Sequence, residues 1–166
     1  MVTIREALSG DDKAVGELLV EAFVSQYAKN MPHVVVDEMR KADLRDVATK
    51  RNAALVLVAE HEQQIVGTVA LFKPGSPFSE AWLANHADLR HLAVARAMLG
   101  HGVSKLLLDR AEYIARSEWK CTGVSLHVRR GAHGVARLYQ NRNYQRTPVG
   151  DFEKPSIFLE AYVLSF

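Results

Sequence analysis

Two glycines near the middle of the chain are its clearest candidates for ligand binding. Gly100 and Gly102 flank His101, and an amphipathic helical pattern begins directly after them at Val103. A helix that starts just after glycines presents several unpaired backbone N–H groups and the positive end of its dipole. Because glycines let a bulky phosphate approach that backbone, the pattern is typical of a pyrophosphate site. The alternative is a tight turn that binds nothing.

Two better-known phosphate loops are excluded. A Walker loop requires Gly-Lys-Ser or Gly-Lys-Thr at a fixed distance after its first glycine, and no segment of the chain has that spacing. A dinucleotide fingerprint requires a third glycine three residues after the second, where this chain has Lys105. The glycine pair therefore predicts either a phosphate site of another kind or a plain turn.

Four polar side chains lie in segments that could bring them to a site. An alternating strand over 87–94 places Asp88 and Arg90 on one face and His91 on the opposite face. An aspartate near the start of a strand is more often simply solvated, so its type alone does not assign a role. Tyr139 lies on a short helical pattern with apolar neighbours, and by itself it indicates packing.

The elements that position these residues follow from hydrophobic periodicity. Seven strands are expected, over 2–7, 53–60, 65–72, 87–94, 123–128, 144–147 and 157–164. Helices are expected after Ser9 and over 36–48, 103–119 and 133–141. The polar stretch 61–64 between two aliphatic runs indicates a hairpin, and the prolines and glycine within 73–79 indicate a loop. This order predicts a mixed α/β fold, one layer of sheet covered by helices.

Composition excludes several classes of protein. The chain has 166 residues, 48% of them apolar, and is expected to form one domain over residues 1–166. A net charge of only +2 argues against a nucleic-acid binder, and the longest apolar run, 53–59, is far shorter than the ~20 residues of a membrane span. The single cysteine, Cys121, excludes an internal disulfide and a cysteine-rich zinc site. No signal peptide is visible, so a cytoplasmic location is expected.

Two spaced motifs resemble those of a known family. Leu92-Ala93-Val94, five further residues, and then Gly100-His101-Gly102-Val103-Ser104 with an apolar helix resemble the acetyl-CoA-binding motif of the GNAT superfamily of N-acetyltransferases. Downstream, the segment from Arg137 to Tyr144 is similar to the family's Leu-Tyr-x-x-x-Gly-Phe segment. The order of strands and helices agrees over nearly the whole chain.

The resemblance implies a fold and an activity. The fold would be α/β, of the α+β kind: a central, mostly antiparallel mixed sheet of six or seven strands flanked by helices, splayed between the fourth and fifth strands. The activity would be that of an acyltransferase that moves an acetyl group from acetyl-CoA to a primary amine by direct transfer in a ternary complex. Acetyl-CoA would be a co-substrate, and no metal would be required.

The resemblance also implies roles for individual residues. The cofactor-binding positions would be Leu92, Val94, Gly100, Gly102, Val103 and Ser104. The N–H of Val94 would meet the thioester oxygen, Tyr139 would protonate the departing thiolate, and Asp88 would act as base or amine-binding group. Acceptor specificity would come from the helices after Ser9 and from the loop 73–86.

Departures from the family pattern keep a second hypothesis open. Leu99 stands where the family has Arg or Gln, and Ala132 stands where an Asn often contacts the cofactor arm. Ser104 and Asn143 replace small residues with little expected effect. A non-catalytic acyl-CoA-binding sensor or regulatory module is therefore the alternative to an enzyme. The acceptor amine, the length of the acyl group and a homodimer are left open; no nucleic-acid or membrane partner is expected.

Overall fold

The computed structural model describes residues 1–166, and its elements follow the predicted order. The strands are β1 (Thr3–Glu6), β2 (Leu55–His61), β3 (Gln64–Phe72), β4 (His86–Val94), β5 (Gly123–Arg129), β6 (Gln145–Arg146), β7 (Phe152–Lys154) and β8 (Ile157–Ser165). The helices are α1 (Asp12–Asn30), α2 (Glu38–Arg45), α3 (Val47–Ala53), α4 (Val103–Tyr113) and α5 (His133–Gln140). None of the helices is both long and apolar enough to cross a lipid bilayer.

The strands form one mixed sheet in the order β1-β2-β3-β4-β5-β8-β6, with β7 also paired to β8. Strands β4 and β5 pair in parallel, whereas β1 with β2, β2 with β3, and β8 with each of β5, β6 and β7 pair antiparallel. The parallel register covers only His86–Asp88 against Gly123–Ser125. The two strands therefore part after Asp88, and the predicted mostly antiparallel sheet, splayed between its fourth and fifth strands, is confirmed.

The structure corrects two expected elements. The predicted helix over 36–48 is wrong as a single element, because the backbone breaks at Asp46 (φ −79°, ψ 67°) between α2 and α3. There the Asp46 carboxylate accepts a hydrogen bond from the Thr49 N–H at 3.3 Å and caps the start of α3. An eighth short strand, β7, adds to the seven that periodicity indicated, because three residues give too little pattern to read.

One compact unit contains residues 1–71 and 91–111, and its packing positions the glycine turn. A Cβ built on Gly67 of β3 would lie 2.8 Å from Val103 Cγ1 and 3.0 Å from Leu107 Cδ1, so α4 rests directly on this strand. Val103 and Leu107 are both buried. At the β2–β3 turn, Glu62 and Gln63 have φ of 49° and 65°, the pair of left-handed residues that a tight hairpin requires.

The other compact unit contains residues 72–90 and 112–166. Strands β5 and β8 pair along seven positions, and the unit's core includes Val124, Leu126 and Ala161. A Cβ on Gly150 would clash with the Trp82 indole, so that ring packs directly against a backbone position that carries no side chain. Cys121 is buried here, and burial raises the pKa of its thiol.

Candidate functional site

The glycine turn of the first unit has an open backbone surface. Gly100 and Gly102 have φ of +80° and +78°, a left-handed conformation that glycine adopts without strain. No atom lies within 4 Å of a Cβ built on either residue, so the space beside the turn is free. The N–H of His101 donates to the Met98 carbonyl at 3.3 Å, and this hydrogen bond stabilises the turn.

The predicted helix after the glycines begins at Val103, as α4. The N–H of Leu106 donates to the Gly102 carbonyl at 3.1 Å, which leaves the preceding N–H groups of the first turn without a partner in the helix. Ser104 is half-buried and contributes its backbone here, whereas Leu99 points into solvent with 61% of its surface exposed. Free N–H groups, a helix dipole and open space fit a pyrophosphate, which is the group that coenzyme A carries.

The strand that leads into this turn is less regular than the sequence suggested. His91 has a φ of 57°, so the alternation of faces predicted across β4 is wrong at this residue. Its ring packs edge-on against Phe23, 6.3 Å between centroids. Leu92 and Val94 follow as half-buried residues, and the N–H of Ala95 donates to the Val66 carbonyl at 2.8 Å. The predicted cofactor residues, 92 to 104, thus lie together on one strand end, one turn and one helix start.

Tyr139 of the second unit is a buried residue of α5, with 5% of its surface exposed. Its ring packs edge-on against Tyr144 at 5.3 Å, and the Tyr144 hydroxyl donates to Glu112 Oε1 at 3.1 Å. Burial, together with the nearby Glu112 charge, raises the pKa of Tyr139. The phenol therefore stays neutral and able to donate a hydrogen bond, but it is a weaker acid than a solvated tyrosine.

Asp88 of the same unit is not a solvated residue, because only 1% of its surface is exposed. Its Oδ2 accepts hydrogen bonds from Arg90 Nε at 2.8 Å, from Arg90 Nη2 at 2.5 Å and from the Glu80 backbone N–H at 2.7 Å. Burial raises the pKa of the Asp88 carboxyl, and the charge of Arg90 opposes that shift. Asp88 therefore orders the loop before β4 and the Arg90 side chain.

Sequence reasoning did not single out Glu80, whose N–H binds Asp88, or His127, which lies beside Glu80. The side chain of Glu80 is 31% exposed, and His127 Nδ1 of β5 lies 3.9 Å from Glu80 Oε2. Arg90 Nη1 and Lys154 Nζ lie 3.5 and 3.7 Å from Glu80 Oε1. No short motif contains this group, because its members come from a loop and three separate strands; the only signal was the expectation that loop 73–86 contributes to acceptor specificity.

An open cleft of about 420 Å³ lies beside the amino end of α5. Its lining includes Arg129, Arg137 and Ala132, together with Glu160 and Tyr162 of β8. Ala132 is the position where the family pattern often places an asparagine. The cleft therefore contains arginine side chains close to Ala132, where the asparagine's contact to the cofactor arm is missing.

Comparisons with known proteins agree with this description. The sequence model of the acetyltransferase (GNAT) family matches residues 13–144. Among curated proteins, none matches this sequence significantly.

Many solved structures share the fold. A GNAT-family acetyltransferase from Staphylococcus aureus is 19% identical, with a TM-score of 0.75 and 99% of each chain covered. The PaiA N-acetyltransferase from Thermoplasma acidophilum, solved in complex with coenzyme A, is 19% identical, with a TM-score of 0.72 over 97% of this chain and 98% of that one. A ribosomal-protein-alanine N-acetyltransferase from Brucella melitensis is 20% identical, with a TM-score of 0.66 and 99% of each chain covered.

Proposed function

Because the chain belongs to the GNAT family of acetyltransferases, we propose that it transfers an acetyl group from acetyl-CoA to a primary amine within a ternary complex. One observation carries the proposal: the open, left-handed glycine turn that leads into the free N–H groups of α4. A structural neighbour that was solved with coenzyme A supports the choice of that ligand. Acetyl-CoA, when bound, supplies the activated acetyl group as its thioester.

In this proposal the first unit holds the coenzyme. The backbone N–H groups of Gly102, Val103 and Ser104 donate to the pyrophosphate, because they lie at the positive end of α4 and the space around a Cβ on Gly102 is open. Leu92 and Val94 hold the coenzyme's arm, and the N–H of Val94 stabilises the charge that develops on the thioester oxygen. The exposed Leu99 adds no charge to this site, so affinity rests mainly on the backbone.

The transfer also requires a hydrogen-bond donor for the departing sulfur and a proton acceptor for the amine. A neutral Tyr139 hydroxyl donates a hydrogen bond to the sulfur as the thiolate leaves, and its raised pKa makes that bond more important than complete proton transfer. An alkylamine with a pKa near ~10.4 must lose a proton before it attacks, which costs about 4–5 kcal/mol at pH 7. A group on this chain or a water molecule must therefore accept that proton.

The direct test measures binding and turnover separately. Calorimetric titration with CoA reports binding, and release of free CoA from acetyl-CoA with a panel of primary amines reports transfer. We expect both binding of CoA and amine-dependent release of CoA from acetyl-CoA. Binding without amine-dependent release would instead favour the non-catalytic acyl-CoA-binding module, and no binding of CoA or acetyl-CoA would refute the assignment of the glycine turn.

A further inference from the structure

Glu80 carries a carboxylate that is short of hydrogen-bond donors. Arg90 Nη1, Lys154 Nζ and His127 Nδ1 lie 3.5, 3.7 and 3.9 Å from its oxygens, and none of them donates a hydrogen bond to it. The side chain is nevertheless about two-thirds buried, with 31% of its surface exposed. A partly buried carboxylate is stabilised by charged donors at 2.7–2.9 Å, so this one has unused capacity for a cationic ligand.

The backbone of Glu80 is fixed, whereas its carboxylate forms only long ion pairs. Its N–H donates to the buried Asp88 Oδ2 at 2.7 Å, and Arg90 holds the same oxygen. The Arg90 guanidinium in turn lies 4.5 Å over the Phe72 ring. The loop thus presents the carboxylate of Glu80 at a defined position, and no side chain donates a hydrogen bond to it.

His127 has one defined tautomer when it is neutral. Its Nε2 lies 2.8 Å from the Gly150 carbonyl oxygen, which can only accept, so Nε2 carries a proton. The lone pair of neutral imidazole is therefore on Nδ1, the nitrogen that faces Glu80. A donor placed between Glu80 and His127 would meet two acceptors.

The surroundings already accommodate a primary ammonium group. Lys154 Nζ lies 5.1 Å over the Phe152 ring and 3.7 Å from Glu80 Oε1. Phe152 packs against the His127 ring at 4.6 Å, and Trp82 also packs against that ring, at 5.2 Å. Aromatic faces beside a carboxylate attract alkylammonium groups. Lys154 is half-exposed, so a ligand amine can displace it from Glu80.

We propose that Glu80 binds the ammonium group of the acceptor and that Nδ1 of His127 takes its proton. This inference rests on the proposed acetyl transfer to an amine. Asp88 then positions Glu80 and Arg90 and is not itself the base. In this proton transfer the N–H bond of the ammonium breaks, its electron pair stays on the amine nitrogen, and the proton bonds to Nδ1 of His127. The resulting imidazolium faces the Glu80 carboxylate, which stabilises it until the proton passes to water.

The test uses n-butylamine as the probe and n-butanol as its uncharged control. Imidazole proton signals of the whole protein are followed by NMR, and those of His127 are assigned by their loss in His127→Gln. We expect a saturable shift with n-butylamine only, weakened about 10-fold or more in Glu80→Gln and unchanged in Glu153→Gln, an exposed neighbour on β7. No shift in the wild type, or equal affinity in Glu80→Gln, would overturn the proposal.

Turnover measurements on the same variants distinguish a failure of the Glu80–His127 amine site from a failure of the proposed acetyl transfer. Glu80→Gln should raise KM for the amine. His127→Gln should lower kcat/KM about 100-fold, a loss that the control variant His61→Gln should not show. CoA release that is insensitive to Glu80→Gln would refute the amine site and leave the transfer. Amine binding that depends on Glu80, without any CoA release, would refute the transfer and leave the amine site.

Discussion

Replacing Gly102 by asparagine and by aspartate isolates the electrostatic part of coenzyme binding. Gly102 has a φ of +78°, and a Cβ placed there has no neighbour within 4 Å. Both asparagine and aspartate tolerate left-handed backbone better than most residues, and the two differ only in charge. Any loss of affinity that they share comes from backbone strain or size, and the difference between them comes from the added negative charge.

The expected difference follows from the distance of approach. Two unit charges about 5 Å apart interact by ~3 kcal/mol at an effective dielectric constant near ~20, and salt reduces that value. A side chain beside the first turn of α4 would lie about that far from a pyrophosphate on its N–H groups. We therefore expect the aspartate variant to bind CoA at least ~2 kcal/mol more weakly than the asparagine variant, about 30-fold in Kd.

The stability of the two variants should change in the opposite direction. A carboxylate at the amino end of a helix is favourable, by about 0.3–1 kcal/mol. The aspartate variant should thus melt no lower than the asparagine variant while binding CoA less well. Calorimetric titrations at two salt concentrations measure the affinity gap, which should narrow as salt is raised. Equal Kd values in two folded proteins would place the pyrophosphate away from this turn.

The remaining predictions concern the second unit. Tyr139→Phe deletes the hydroxyl but keeps the ring packing, so kcat should fall about 10- to 100-fold with little change in Kd for CoA; a variant of equal kcat would show a packing role only. Asp88→Asn leaves Arg90 without its buried partner, so the unfolding free energy in urea should fall by about 3 kcal/mol, and an unchanged value would contradict the ion pair. Burial raises the pKa of both Tyr139 and Tyr144, so stability should hold below the unfolded tyrosine value of ~10 and decline as pH rises above it. Urea unfolding between about pH 9 and pH 11 measures that decline, which should be shallower in Tyr139→Phe; identical slopes would argue against the raised pKa.

Local signals in the sequence were sufficient for most of the fold. The aliphatic runs around the polar stretch 61–64 predicted the β2–β3 hairpin, and the structure supplies its two left-handed residues there. The start of α4 at Val103 was predicted because glycines and an apolar periodicity meet at that point. Such signals depend only on neighbours in the chain.

Other features depend on contacts between distant residues and could not be predicted in this way. The left-handed His91 has no local signature, since histidine seldom adopts that conformation in a strand. Asp88 looked like a solvated strand residue, yet Arg90 and the Glu80 backbone make its burial possible. Glu80 and His127 lie 47 positions apart in the sequence, and the pairing of β4 with β5 helps to bring their segments together.

The packing of Trp82 gives the chain an optical reporter of its own. Its indole ring lies 5.2 Å from the His127 ring, close enough for an excited indole to transfer an electron to a protonated imidazole and lose its emission. The chain has only two tryptophans, and the other is Trp119. Fluorescence of a Trp119→Phe variant would therefore report on the surroundings of a single histidine, in dilute solution and without any label.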